Sequence, residues 1–177
     1  MFLMAVIAAL GLGLLTGRNL SSLAQLRITG LWAPLGAYLI QYGLDYLAGQ
    51  TGQQPWMGLV HTATYVLLFY WVYENRPVPG MGLLGLGMLL NVTVIALNHG
   101  MMPVDPEPLS ASAYSAFASG LSGTHILLDS GTRATWLADI IYLPWPQREL
   151  DSLGDLLLAA GGFWLLFRGM GNQARGN

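Results

Sequence analysis

Five apolar runs, almost free of charge, constrain this chain more than any other feature: residues 1–16, 28–47, 56–73, 80–97 and 150–167. A membrane-crossing helix needs about 20 mostly apolar residues, with a working range of about 17–25. Four of the runs meet that need well and one meets it with interruptions. Composition agrees: 54% of residues are hydrophobic and only 9% charged, against about 25% charged in an ordinary soluble domain. The 23 glycines fit too, since glycine is commoner in membrane helices than in soluble ones. The expected fold is an all-α integral membrane bundle of five transmembrane helices. It forms a single domain over residues 1–177, with a long, partly helical outer segment at residues 98–149.

The first run has the length of a signal peptide, but Arg18 follows the apolar stretch rather than preceding it. That polarity marks a retained helix. Trp56, Trp71 and Tyr73 bracket the third run as an aromatic belt would. Arg18, Arg27, Arg76, Arg168 and Arg175 fall on one side of the bundle, Arg133 and Arg148 on the other. The Arg-rich side is expected to be cytoplasmic. The chain is therefore placed in the bacterial plasma membrane, multi-pass, with the N-terminus outside and the C-terminus in the cytoplasm. The expected partners are the lipid bilayer and either partner subunits or further copies of the chain. The net charge of −2 and the lack of a basic cluster exclude nucleic acid. The absence of cysteine excludes disulfides, thiolate metal sites and thiol catalysis.

Within the outer segment, Leu109, Ala113, Phe117 and Leu121 share one helical face, which predicts a short helix lying on the membrane surface or against the bundle. The stretch from Trp136 to Leu143 is apolar but too short to span, and Pro144 and Pro146 stop it. It reads as a re-entrant or interfacial segment. Gly13 and Gly17, and the cluster Gly80, Gly82, Gly85 and Gly87, suit close helix packing.

Two acids interrupt apolar sequence and are the first candidates for chemistry. Asp155 lies about one turn inside the fifth run, and Asp139 stands alone in the Trp136–Leu143 segment. Two carboxyl groups in contact cannot both ionise cheaply, so such a pair can act as acid and base on water. The plainer reading is that each caps a helix or pairs with Arg133 or Arg148. The stretches from His125 to Asp129, Trp136 to Ile141 and Ser152 to Asp155 resemble the C-terminal motifs of lipoprotein signal peptidase (signal peptidase II). That resemblance implies a catalytic dyad of Asp139 and Asp155, supported by Asp129 and Ser152. His125 stands where the family has Asn, Ser130 where it has Arg, and Ser152 where it has Asn. As a whole, the chain resembles an uncharacterised family of small bacterial polytopic membrane proteins, marked by Asn98, Gly100, Met101, Met102 and Pro103.

A second set of polar residues suggests ligand binding: Asn91, Asn98, His99 and His125. Asn91 and Asn98 are seven apart and face nearly the same way on a helix. Gln41 and Asp45 form a similar polar strip on the second run, and His61 interrupts the third. The histidines and nearby acids are too loosely spaced to define a metal site, so no metal and no cofactor is expected. The first functional expectation is an accessory subunit or small-ligand-binding component of a bacterial membrane system. The alternatives are an aspartic intramembrane hydrolase and a small carrier.

Overall fold

The structure, a computed structural model, describes residues 1–145 and 148–171. Arg175, counted in the charge asymmetry, and Pro146, placed at the end of an apolar segment, lie outside the described residues. Six helices carry the architecture: α1 (Phe2–Leu15), α2 (Trp32–Thr51), α3 (Pro55–Glu74), α4 (Met81–Leu97), α5 (Ala111–Ala118) and α6 (Leu153–Gly169). Local signals set their ends. Gly52, at φ 75°, closes α2, and Pro55 opens α3 at its first position, where its missing N–H costs nothing. Ser110 caps α5 by accepting from the Ala113 N–H at 3.2 Å.

No described helix is long and apolar enough to cross a membrane, which overturns the five-span reading. At about 1.5 Å per residue, the 14 residues of α1 cover roughly 21 Å and the 17 of α4 and of α6 roughly 25 Å, against a hydrocarbon core of about 30 Å. The 20 residues of α2 and of α3 are long enough. Gln41 and Asp45 in α2, and His61, Thr62 and Thr64 in α3, make them too polar. The multi-pass plasma-membrane placement, the outside-to-cytoplasm orientation and the carrier reading rested on those spans and fall with them. The all-α expectation is also corrected: among the described residues there are four short strands, β1 (Met102–Val104), β2 (His125–Leu127), β3 (Ile141–Leu143) and β4 (Glu149–Asp151). The Trp136–Leu143 segment is not re-entrant. It is a turn of 3₁₀ helix, Thr135–Leu137, followed by β3, which pairs antiparallel with β4.

The apolar runs pack helix on helix. α4 lies against α6 and α3, α2 against α3, and α1 against α6. Met81, Leu84, Met88, Val94, Ile95, Tyr65 and Leu165 form the main core. The α4–α6 crossing is close because glycines line it. A Cβ on Gly87 would stand 2.6 Å from the Gly154 carbonyl oxygen, and one on Gly161 2.8 Å from the Leu84 nitrogen. Large apolar side chains also stay exposed around the bundle, among them Leu59 on α3 and Leu35 on α2.

The exit from α4 positions everything that follows. The Asn98 amide donates to the Val94 and Arg133 carbonyls at 2.8 and 2.9 Å and accepts from the Arg133 N–H at 2.9 Å. It thereby ties the helix end to a distant loop. His99 (φ 59°) and Gly100 (φ 82°) then turn the chain sharply. Gly100 lies directly on Gly58 of α3, with no room for a side chain on either. Met101 and Met102 follow as buried core residues, and β1 begins.

Candidate functional site

β1 has a neighbour on each edge. β2 pairs with it in parallel, Met102 opposite His125. On the other edge, the Asp139 N–H donates to the Pro103 carbonyl and the Asp105 N–H to the Asp139 carbonyl, both at 3.0 Å. His125 and Asp139 thus sit on the two strands of chain that flank β1. Their side chains approach across it, His125 Nε2 lying 3.8 Å from Asp139 Oδ2.

The turn before His125 is fastened to α2 by Asp45. One oxygen of that carboxylate accepts from the Ser122 hydroxyl, the Gly123 N–H and the Thr124 hydroxyl at 2.8, 2.9 and 2.9 Å. Gly123 fits against the Leu44 backbone, where a Cβ would collide. Because the Thr124 hydroxyl donates to Asp45, its 2.7 Å contact with His125 Nδ1 leaves the imidazole as donor. His125 therefore carries its proton on Nδ1 and a bare lone pair on Nε2. His61 is fixed in the same tautomer, since its Nδ1 lies 2.8 Å from the Gly100 carbonyl, which can only accept.

Asp155 arrives from α6 through a capping box. Ser152 accepts from the Asp155 N–H at 3.0 Å, and Asp155 Oδ2 accepts from the Ser152 N–H at 2.9 Å. The other oxygen, Oδ1, accepts from the Asn91 amide of α4 at 3.0 Å. The fully buried Ser152 hydroxyl also lies 2.9 Å from Asn91 Oδ1. Replacing Ser152 by alanine is expected to cost about 1–2 kcal/mol, the usual worth of an N-cap, read as a lower urea midpoint. A change within error would mean that the cap does not fasten α6.

These groups enclose one cavity of about 260 Å³. Tyr38, Gln41, Tyr42 and Asp45 of α2 line it with His61 and Tyr65 of α3, Asn91 of α4, Thr124, His125, Asp139 and Asp155. A larger cavity of about 540 Å³ adjoins it on the α5 side and shares His125 and Asp139 as lining. Burial governs the electrostatics. It pushes the Asp139 carboxyl from an ordinary value of 3.8 up to about 8, with the Asp155 and Asp151 charges adding to the rise. It also lowers His61 to about 4, against the opposing pull of the Gly100 hydrogen bond, and lowers His125. The two imidazoles are thus neutral near pH 7. Asp139 is 7% exposed, and its Oδ1 has no hydrogen-bond partner.

Of the residues singled out in the sequence, Asn91, His125, Asp139 and Asp155 line this cavity, and Ser152 stands behind Asn91 and Asp155. Asp129 lies elsewhere: it closes its own turn with the Gly131 N–H and the Thr132 hydroxyl. Asn98 is the clamp at the end of α4, and with His99 it lines a separate cavity beside Gln53 and Gln54. Asp45, Gln41 and His61 were visible only as breaks in apolar runs. Tyr38, Tyr42, Tyr65 and Thr124 gave no signal at all.

Residues 25–167 match a family of unknown function (DUF5317). The chain belongs to that family. The matched span contains every residue that lines the inner cavity. An uncharacterised protein of Thermotoga maritima is 31% identical over 157 residues, which cover 88% of this chain and 83% of the relative. No solved structure matches the chain.

Proposed function

We propose that this member of the family is a small-ligand-binding protein whose ligand occupies the cavity between α2, α3, α4 and the β1 edge. One observation carries the reading: Asp139 is buried with Oδ1 unpartnered, beside two imidazoles whose Nε2 lone pairs are left free by their tautomers. Buried polar groups in native proteins are nearly always hydrogen-bonded, and leaving one unpaired costs about 1–3 kcal/mol. Such groups gathered around one concave space are what a specific binding site requires. A fragment screen followed by the NMR signals of isotope-labelled protein tests it. Saturable shifts at His61, Thr124, His125 and Asp139 are expected. Shifts confined to other surfaces would contradict the reading.

A second reading, acid–base hydrolysis by Asp139 and Asp155, is favoured by the cavity that the two carboxyl groups share and by the resemblance to lipoprotein signal peptidase. The hydrogen bonds that already occupy both oxygens of Asp155 limit its capacity as a base. Cleavage of a peptide library that Asp139→Asn and Asp155→Asn each abolish would favour hydrolysis over simple binding.

A further inference from the structure

We propose that the ligand of this cavity is a small organic ammonium cation, received by Asp139 and by the Nε2 atoms of His61 and His125. This rests on the cavity being a ligand site, as argued above. The distribution of donors and acceptors around the cavity carries it. Several donors of the wall are already engaged within the protein, although Gln41 and Asn91 each keep a second amide hydrogen and the tyrosine hydroxyls stand apart. Gln41 Nε2 donates to Thr64 at 2.8 Å, Asn91 Nδ2 to Asp155 at 3.0 Å and the Thr124 hydroxyl to Asp45 at 2.9 Å. The Nδ1 protons of His61 and His125 go to Gly100 and Thr124. Three acceptors here have no hydrogen-bond partner among the described residues: the Nε2 atoms of His61 and His125, which line the cavity, and the buried Oδ1 of Asp139 just behind its wall. His61 is 4% exposed, and its Nε2 has no hydrogen bond among the described residues.

Three carboxyl groups, Asp45, Asp139 and Asp155, line the space, and among the described residues no arginine does. An ammonium group brings three N–H donors and no acceptor, which complements such a wall, and bonds to a carboxylate are among the stronger ones available. Tyr38 and Tyr42, stacked with ring centroids 6.4 Å apart, line the same cavity and offer faces a cation favours. Among the described residues no three His, Asp or Glu groups are spaced to hold a metal ion.

Proton balance supplies a signature. The groups around Asp139 in the inner cavity are His125 from β2, His61 and Tyr65 from α3, Asp45 from α2 and Asp155 from α6, with Asp151 from β4 nearby and Arg148 and Glu149 lining the adjoining cavity on its other side. Burial and the Asp155 and Asp151 charges keep Asp139 protonated up to about pH 8. An arriving ammonium stabilises the carboxylate, so the Asp139 proton leaves to solvent as the cation binds.

Calorimetric titration of the full chain with butylammonium chloride at pH 7, repeated in buffers of different ionisation enthalpy, tests this. Butyrate and 1-butanol serve as matched probes of opposite and zero charge. Saturable binding of butylammonium alone is expected, with about one proton released per cation. Asp139→Asn should weaken it at least about 10-fold and abolish the release. Three results would overturn the ammonium assignment while leaving a ligand-binding cavity. They are preference for butyrate or butanol, butylammonium binding without proton release, and unchanged binding in the Asp139 variant. If none of the three probes binds and fragments also leave the cavity signals unmoved, the ammonium assignment and the binding reading fall together.

Discussion

Replacing Gly100 by alanine is expected to destabilise the protein by about 2–5 kcal/mol. Two costs add. A side chain at φ 82° is strained, at roughly 1–2 kcal/mol for an L-residue. Its Cβ would also collide with the Gly58 backbone of α3. Backbone cannot yield as a flexible side chain does, and forced overpacking costs about 1–3 kcal/mol more. For a chain of this size the melting temperature should fall by roughly 10 °C. The site should suffer as well, because the Gly100 carbonyl fixes the His61 tautomer at 2.8 Å. Gly82→Ala is the control. That glycine lies inside α4 with open space around its Cβ position, so alanine there should be neutral or stabilising by up to about 1 kcal/mol. Urea unfolding of both variants against wild type measures the contrast. Equal effects would show that the contact between Gly58 and Gly100 does not hold β1 against α3.

Asp139→Asn is expected to stabilise the empty protein increasingly as pH rises. The carboxyl has a folded-state value of about 8 against an ordinary value of 3.8. Between those values the native state holds a proton that the unfolded chain has lost, so stability falls as pH rises through the window. Above about pH 8 the accumulated loss is on the order of 3–5 kcal/mol. Asparagine keeps the shape and cannot ionise, so the loss disappears. The two proteins should differ little near pH 4, diverge up to about pH 8 and run parallel beyond. His61 and His125 act with the opposite sign. Lowered by burial, they contribute stability above about pH 6.5 that is lost as pH falls toward their folded values. They are present in both proteins, so the difference reports Asp139 together with its coupling to His125 and Asp151. Urea midpoints from pH 4 to 9 give the difference directly. A difference independent of pH would mean that Asp139 is not held protonated.

Both expectations depend on contacts that join distant parts of the chain, and this bears on what could be read from sequence. The apolar runs mark where helices form, because a continuous hydrophobic stretch must be buried against something. They also placed the ends closely, with runs 1–16 and 80–97 against helices Phe2–Leu15 and Met81–Leu97. The error lay in taking runs that short as long enough to cross a membrane. The polar interruptions were the better guide. Gln41, Asp45 and His61 broke the apolar runs, and all three line the cavity. The resemblance to lipoprotein signal peptidase singled out Asp139 and Asp155, which the fold brings to the same space. The strands left no usable signal, since each is three residues long and β1 finds β2 only after α5 has intervened. Asp45 meets Thr124 across 79 positions, a pairing that no local pattern encodes. His99, singled out at the end of the fourth run, forms the sharp turn out of α4 and lines a different cavity from the other candidates.

The most direct measurement is the carboxyl ¹³C titration of Asp139, with and without butylammonium. The structure predicts a midpoint near pH 8 in the free protein, moving well down when the cation is bound and unmoved by butyrate. A midpoint near the ordinary 3.8 in the free protein, indifferent to both probes, would contradict the account of a buried, unpartnered acid awaiting a cation.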